Sequence, residues 1–81
     1  MSKEIGKIVK YFDKVSVAVV ELSGNLNVGD KIHIKGTTTD FNQKVESMQV
    51  EHEKIEKAKK GQSIGLKVDE RVRLNDRVFI E

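Results

Sequence analysis

The 81-residue sequence predicts an all-β fold, a small closed barrel of about six short antiparallel strands. Three observations predict it. Apolar residues recur with period two in short runs bounded by turn residues. One nine-residue pattern stands twice: Leu26-Asn27-Val28-Gly29-Asp30-Lys31-Ile32-His33-Ile34 and, forty-six positions later, Val72-Arg73-Leu74-Asn75-Asp76-Arg77-Val78-Phe79-Ile80. No stretch carries an apolar stripe wide enough to anchor a helix. Closure is expected because an open sheet would leave two edges free to pair with other chains.

In order along the chain, Ile5 to Phe12 is rich in strand formers and apolar on both faces, and Asp13-Lys14 suits a tight connection. Val15 to Leu22 is the strongest strand signal, with Ala18, Val20 and Leu22 on one face and Val15, Val17 and Val19 on the other. Ser23-Gly24-Asn25 is turn chemistry and leads into the first copy of the repeat. Gly29 and Asn75 are residue types that accept positive φ, and Asp30 and Asp76 can bond back to nearby backbone N–H groups. Each copy therefore turns the chain and launches a strand, with Ile32 and Ile34, or Val78 and Ile80, facing one way.

Gly36 to Asn42 is polar and Thr-rich, the longest loop expected, with Phe41 near its end. Val45 to Val50 resumes a strand whose apolar parity shifts, which marks a bulge or bend. Val50 to Lys60 has helical propensity but only Val50, Ile55 and Ala58 as an apolar stripe; it is read as a strand to Ile55, then a helical turn closing at Gly61. Ser63 to Val68 is a strand with Ile64, Leu66 and Val68 inward and Gly65 opposite. Asp69-Glu70-Arg71 loops into the second copy.

The length fits a single domain over 1–81. Fifteen Lys and Arg against thirteen Asp and Glu leave a formal charge of +2, short of the imbalance of a dedicated nucleic-acid binder. With no cysteine there is neither a disulfide framework nor a thiolate metal site. The first residues lack an apolar signal core, and the longest apolar run, Val17 to Val20, is too short to span a bilayer. A cytoplasmic protein without membrane partners is expected.

Residues 24–31 nearly spell a phosphate loop, but Asp30 stands where that motif needs Lys, and Ile32 where it needs Ser or Thr. The stretch also joins strands instead of opening a helix. No nucleotide site, cofactor or metal is expected: His33 and His52 stand alone, and turn formation already explains Asp30 and Asp76. Without a nucleophile–base pattern, no catalytic residue and no enzyme is expected. Lys7, Lys10 and Lys14, interleaved with Tyr11 and Phe12, form the arrangement in which cations and aromatics contact a single nucleic-acid strand. A solvated hairpin with Tyr11 and Phe12 partly in the core explains them as well. Phe41 and Lys44 complete the candidate contact set, and Gly29, Asp30, Gly61, Asn75 and Asp76 are the structural turns.

The ordered landmarks Gly6-x-Ile8, Val17 to Leu22, the two repeat copies, Val45-x-Ser47-Met48-Gln49 and Ala58-x-x-Gly61-x-x-Ile64-Gly65-Leu66 carry a resemblance over nearly the whole chain. They resemble the domain-two β-barrel of translational GTPases, of the elongation factor Tu and bacterial initiation factor two type. The resemblance implies a six-stranded Greek-key barrel that does no chemistry, lacks the GTPase domain, and contacts tRNA, ribosomal RNA or a ribosome-associated protein. The near-neutral charge supports an alternative, a protein–protein adaptor for a larger enzyme complex.

Overall fold

In the computed structural model, which describes residues 3–80, the chain runs as ten strands. They are β1 (Lys3–Phe12), β2 (Val17–Leu22), β3 (Leu26–Asn27), β4 (Lys31–Lys35), β5 (Asp40–Lys44), β6 (Met48–Val50), β7 (Glu53–Ile55), β8 (Lys57–Ala58), β9 (Ser63–Lys67) and β10 (Arg77–Ile80). Eight of them form one antiparallel sheet in the order β5-β4-β10-β1-β2-β9-β6-β7, while β3 and β8 pair as a separate ribbon. The sheet curls around a core that includes Ile8, Val20, Ile32, Ile34, Leu66 and Val78, each of them fully buried.

The all-β class stands, but the closed six-stranded barrel does not. The molecule is a curled sheet forming a half-barrel, with β5 and β7 as its two ends. A side chain does part of what a closing ladder would do. Gln43 pairs across from Ile32 on β5 and is buried. Its Nε2 donates to the Lys67 carbonyl at 2.9 Å, and its Oε1 accepts from the Asp69 N–H at 2.8 Å. One amide thus ties the β5 flank to the chain leaving β9.

The duplicated pattern explains the centre of the sheet. The two copies pair with each other, Ile32 opposite Ile80 and Ile34 opposite Val78. Each copy closes its turn alike: Asp30 Oδ2 accepts from Asn27 N at 3.0 Å, and Asp76 Oδ2 from Arg73 N at 2.8 Å. Each turn also grips one inward residue of another segment. Gly29 N donates to Val45 O and Val45 N to Asp30 O; Asn75 N donates to Ile8 O and Ile8 N to Asp76 O. Gly29 and Asn75 take φ of 100° and 72°. Asp76 is buried where Gly36 passes against it, and a Cβ on Gly36 would lie 2.6 Å from Asp76 Cγ.

Three local expectations are corrected. The Gly36 to Asn42 loop is a hairpin instead: β5 pairs with β4 from Lys35–Asp40 to Lys31–Lys44, and only residues 36–39 turn. The strand expected to continue to Ile55 reverses at Glu51-His52, where Val50 faces Glu53 and both turn residues take positive φ, 50° and 69°. The helical turn before Gly61 is a β-turn after β8, with Gln62 N donating to Lys59 O and Gly61 at φ 91°. The parity shift expected in 45–50 lies in the break between β5 and β6, across which Val45 and Met48 are both buried.

Candidate docking groove

Period two sends every second residue of a strand away from the core. One outward row is charged throughout. The row Asp40, Lys35, Arg77, Lys7 and Glu21 runs in register across β5, β4, β10, β1 and β2. The next row holds Asn42, His33, Phe79 and Glu4, with Arg77 Nη1 donating to Glu4 Oε2 at 3.0 Å. Here His33 Nε2 is hydrogen-bonded to Asp40 Oδ1. That bond, reinforced by the charges of His33 and Lys35, holds the Asp40 carboxyl below its ordinary range.

The outward face of β2 changes character at Val17 and Val19, past Glu21 of the charged row. Val19 pairs with Gly65 of β9 and Gly65 with Gln49 of β6, an uncharged row, while Val17 beside it pairs with the exposed Lys67. The end of β1 and the β1–β2 loop bring Phe12 and Val15 to one side, 44% and 57% exposed. The Glu51-His52 turn and Val50 rise on the other. Together they line a groove of about 520 Å³. Gly65 leaves the floor low, since a Cβ there would press on Gln49 Cγ at 3.1 Å and Val17 Cγ1 at 3.3 Å. Lys10 stands at the rim with its Nζ 4.9 Å from the Phe12 ring centroid.

The contact residues expected from sequence do not form one patch. Lys7 is half-buried in the charged row and Lys14 sits on the exposed β1–β2 loop. Phe41 packs against the core, and Lys44 lies opposite Lys31 on the edge strand, with β4 and β10 between it and β1. Lys10 and Tyr11 do share a concavity, with Arg71 to Leu74. Sequence reasoning missed the Glu51-His52 wall, because neither is the Gly or Asn that usually marks such a reversal. It also missed Arg71 and Arg73, although setting the repeat copies side by side places them against Asn25 and Asn27. Among the described residues, no three His, Cys, Asp or Glu side chains are placed to hold a metal ion.

No protein-family model matches the chain. It is 46% identical over 78 residues, 95% of its length, to an uncharacterized protease of Methanocaldococcus jannaschii, of which the match covers 19%. It is equally identical over 77 residues, 93% of its length, to a collagenase of Porphyromonas gingivalis, covering 21% of that protein. The chain thus spans about a fifth of the length of the curated relatives it matches. Among solved structures, the C-terminal domain of a Geobacillus thermoleovorans U32-type peptidase superposes with a TM-score of 0.89 at 20% identity, covering 95% of this chain and 90% of that one. Its selenomethionine variant superposes equally well at 19% identity, covering 94% and 96%.

These findings overturn the translation-factor resemblance and the RNA-binding, ribosome-associated function drawn from it. The landmarks that carried it are turn-and-strand residues, which any small curled sheet with a duplicated turn can share. The expectation of no enzyme is corrected too, because relatives at 46% identity bear the names protease and collagenase.

Proposed function

We propose that this chain works in proteolysis as the β-domain of a U32-type peptidase, with the Val17–Val19–Gly65 groove as the seat for the rest of that peptidase. The observation that carries the reading is 46% identity over nearly the whole chain to a protease and a collagenase of much greater length. The groove supplies the physical means. An apolar concavity between exposed Phe12 and Val15 is the kind of surface that marks an interaction site on a soluble domain. Interfaces between domains of one chain are built from such patches with charged rims. Here Glu51 and Lys10 provide the rim, fixing orientation more than affinity.

The test replaces the matched 77-residue segment of the Porphyromonas gingivalis collagenase with this chain and measures gelatin cleavage. The segment-deleted collagenase is expected to lose activity and the chimera to regain it. Placing charge in the seat, as in Val17→Lys, is expected to lower the chimera's activity by more than about tenfold, since desolvating one unpaired charge in an interface costs several kcal/mol. A deleted collagenase as active as its parent, or a chimera no better than the deletion, overturns the reading.

A further inference from the structure

The duplicated turn contains its own control. Because Val45 and Ile8 occupy equivalent places against the two copies, Ser47 corresponds to Lys10 and Met48 to Tyr11. Along the repeat, Asn25 corresponds to Arg71, Asn27 to Arg73 and Val28 to Leu74. All five second-copy residues line one concavity, whereas of their first-copy counterparts only Val28, Ser47 and Met48 line another. The first-copy concavity is lined by Val28, Ser47 and Met48 with Glu46 and Glu56 and a single Lys54. Its second-copy counterpart, of about 540 Å³, is lined by Lys10, Tyr11, Arg71, Val72, Arg73 and Leu74. It holds three cations and no carboxylate.

The turn does not require those cations. The first copy builds the same carboxylate-to-backbone bond and the same grip on its neighbour with asparagines and a serine. Asn25 is engaged structurally, accepting from Lys60 N at 3.1 Å, whereas Lys10, Arg71 and Arg73 form no salt bridge among the described residues. Leu74 is 59% exposed beside Tyr11, the most exposed large apolar side chain among the described residues. The walls are held in place. Arg73 N is tied to Asp76, Asn75 N and Asp76 O are bonded to Ile8, and Val72 is buried. A cleft fixed before its ligand arrives loses little entropy on binding.

We propose that this cleft docks an acidic segment of a substrate polypeptide, its carboxylates meeting Lys10, Arg71 and Arg73 and one apolar side chain resting on Leu74 and Tyr11. Guanidinium forks favour carboxylates in pairs, and the apolar shelf selects a peptide with one apolar residue between acidic pairs over a bare polyanion. That the segment belongs to a substrate rests on the peptidase reading above; the cleft and its ligand chemistry do not.

The experiment grafts the first-copy residues onto the second, as Lys10→Ser, Arg71→Asn and Arg73→Asn, and separately makes Leu74→Asn. Binding of a fluorescein-labelled Glu-Asp-Leu-Glu-Asp peptide to the 81-residue chain is read by anisotropy at two salt concentrations. The parent chain should bind saturably, more weakly at high salt, and each variant set should weaken binding about tenfold with an unchanged melting temperature. Amide shifts of the parent on adding peptide should cluster at residues 10–11 and 71–74, which locates the site without any variant. No saturable binding, shifts elsewhere, or tighter binding of a single-stranded RNA of equal charge overturns the proposal. In the collagenase chimera, the double graft Arg71→Asn and Arg73→Asn, which leaves Lys10 at the groove rim in place, should lower kcat/KM for an acidic peptide and spare a neutral one. Equal loss on both assigns the cleft to packing within the peptidase and overturns the substrate assignment. Because the binding assay needs no catalysis, its failure is separate from failure of the peptidase reading.

Discussion

Replacing Gln43 tests the most economical contact in the molecule. The side chain points inward opposite Ile32, 7% exposed, and its amide joins the two flanks of an otherwise open curl. Gln43→Leu keeps the volume and removes both bonds. Two net hydrogen bonds are worth about 0.5–1.5 kcal/mol each, and a buried N–H or C=O left without a partner costs about 1–3 kcal/mol more. Partial wetting of Lys67 O and Asp69 N brings the expected loss to about 3 kcal/mol, a large share of the roughly 4–12 kcal/mol that a chain of this length commands. Gln43→Ala opens room for water and should cost less, about 1–2 kcal/mol. Gln43→Glu keeps the acceptor but sets a carboxylate against the Lys67 carbonyl. Protonation restores a donor, so this variant should gain stability relative to the parent as pH falls. The assay is urea unfolding followed by far-UV circular dichroism, since the sequence contains no Trp for fluorescence. A Gln43→Leu chain within about 0.5 kcal/mol of the parent, the range of an ordinary surface change, would refute the tie.

Two further predictions concern the turns and the charged face. Gly36→Ala forces a Cβ onto the Asp76 carboxylate and should cost about 2–4 kcal/mol through the strained contact and the lost Arg73 N–H bond, whereas Gly29→Ala meets no atom within 4 Å and should cost only its positive-φ strain, about 1–2 kcal/mol. Equal costs in urea unfolding would refute that ranking. Asp40 should titrate below the ordinary carboxylate range by carboxyl-carbon NMR, and removing its hydrogen-bond partner with His33→Phe should return it upward. A folded-state value below the unfolded one means that the contribution of Asp40 to stability is present above the unfolded pKa and fades as pH drops through the folded one. An Asp40 that titrates normally in the parent would contradict the bond to His33.

What could be read from the sequence was what neighbours along the chain decide. Alternation at Val17 to Leu22 and Ser63 to Val68 is local, and so is the Gly-Asp or Asn-Asp turn signal at 29–30 and 75–76. Strand β5 was hidden because Asp40, Asn42, Gln43 and Lys44 are poor strand formers. Pairing with β4 and the long-range bridge from Gln43 to Lys67 and Asp69 hold it instead. The reversal at Glu51-His52 lacks the Gly or Asn that usually marks such a turn. Both surface concavities are made by segments distant in sequence. The groove needs β2, β9 and β6 side by side, and the basic cleft needs residues 10–11 against 71–74. Only the comparison of one repeat copy with the other held an advance trace of that cleft.

The place of β10 between β1 and β4 governs how the molecule can assemble. The Arg77–Glu4 ion pair spans 73 positions, and Lys3 faces Ile80. The second repeat copy is thus the keystone that joins a β4–β5 hairpin to the β1–β2–β9 sheet. Until residues 77–80 are available, those two units have no ladder between them. Such non-local closure makes folding slow for the size of the chain and concentrates it in one late step. During synthesis, the strands that precede β10 would wait with the sides of β1 and β4 unpaired. A protease pulse applied during synthesis should therefore find these strands cleavable until β10 emerges, and protected together soon afterwards.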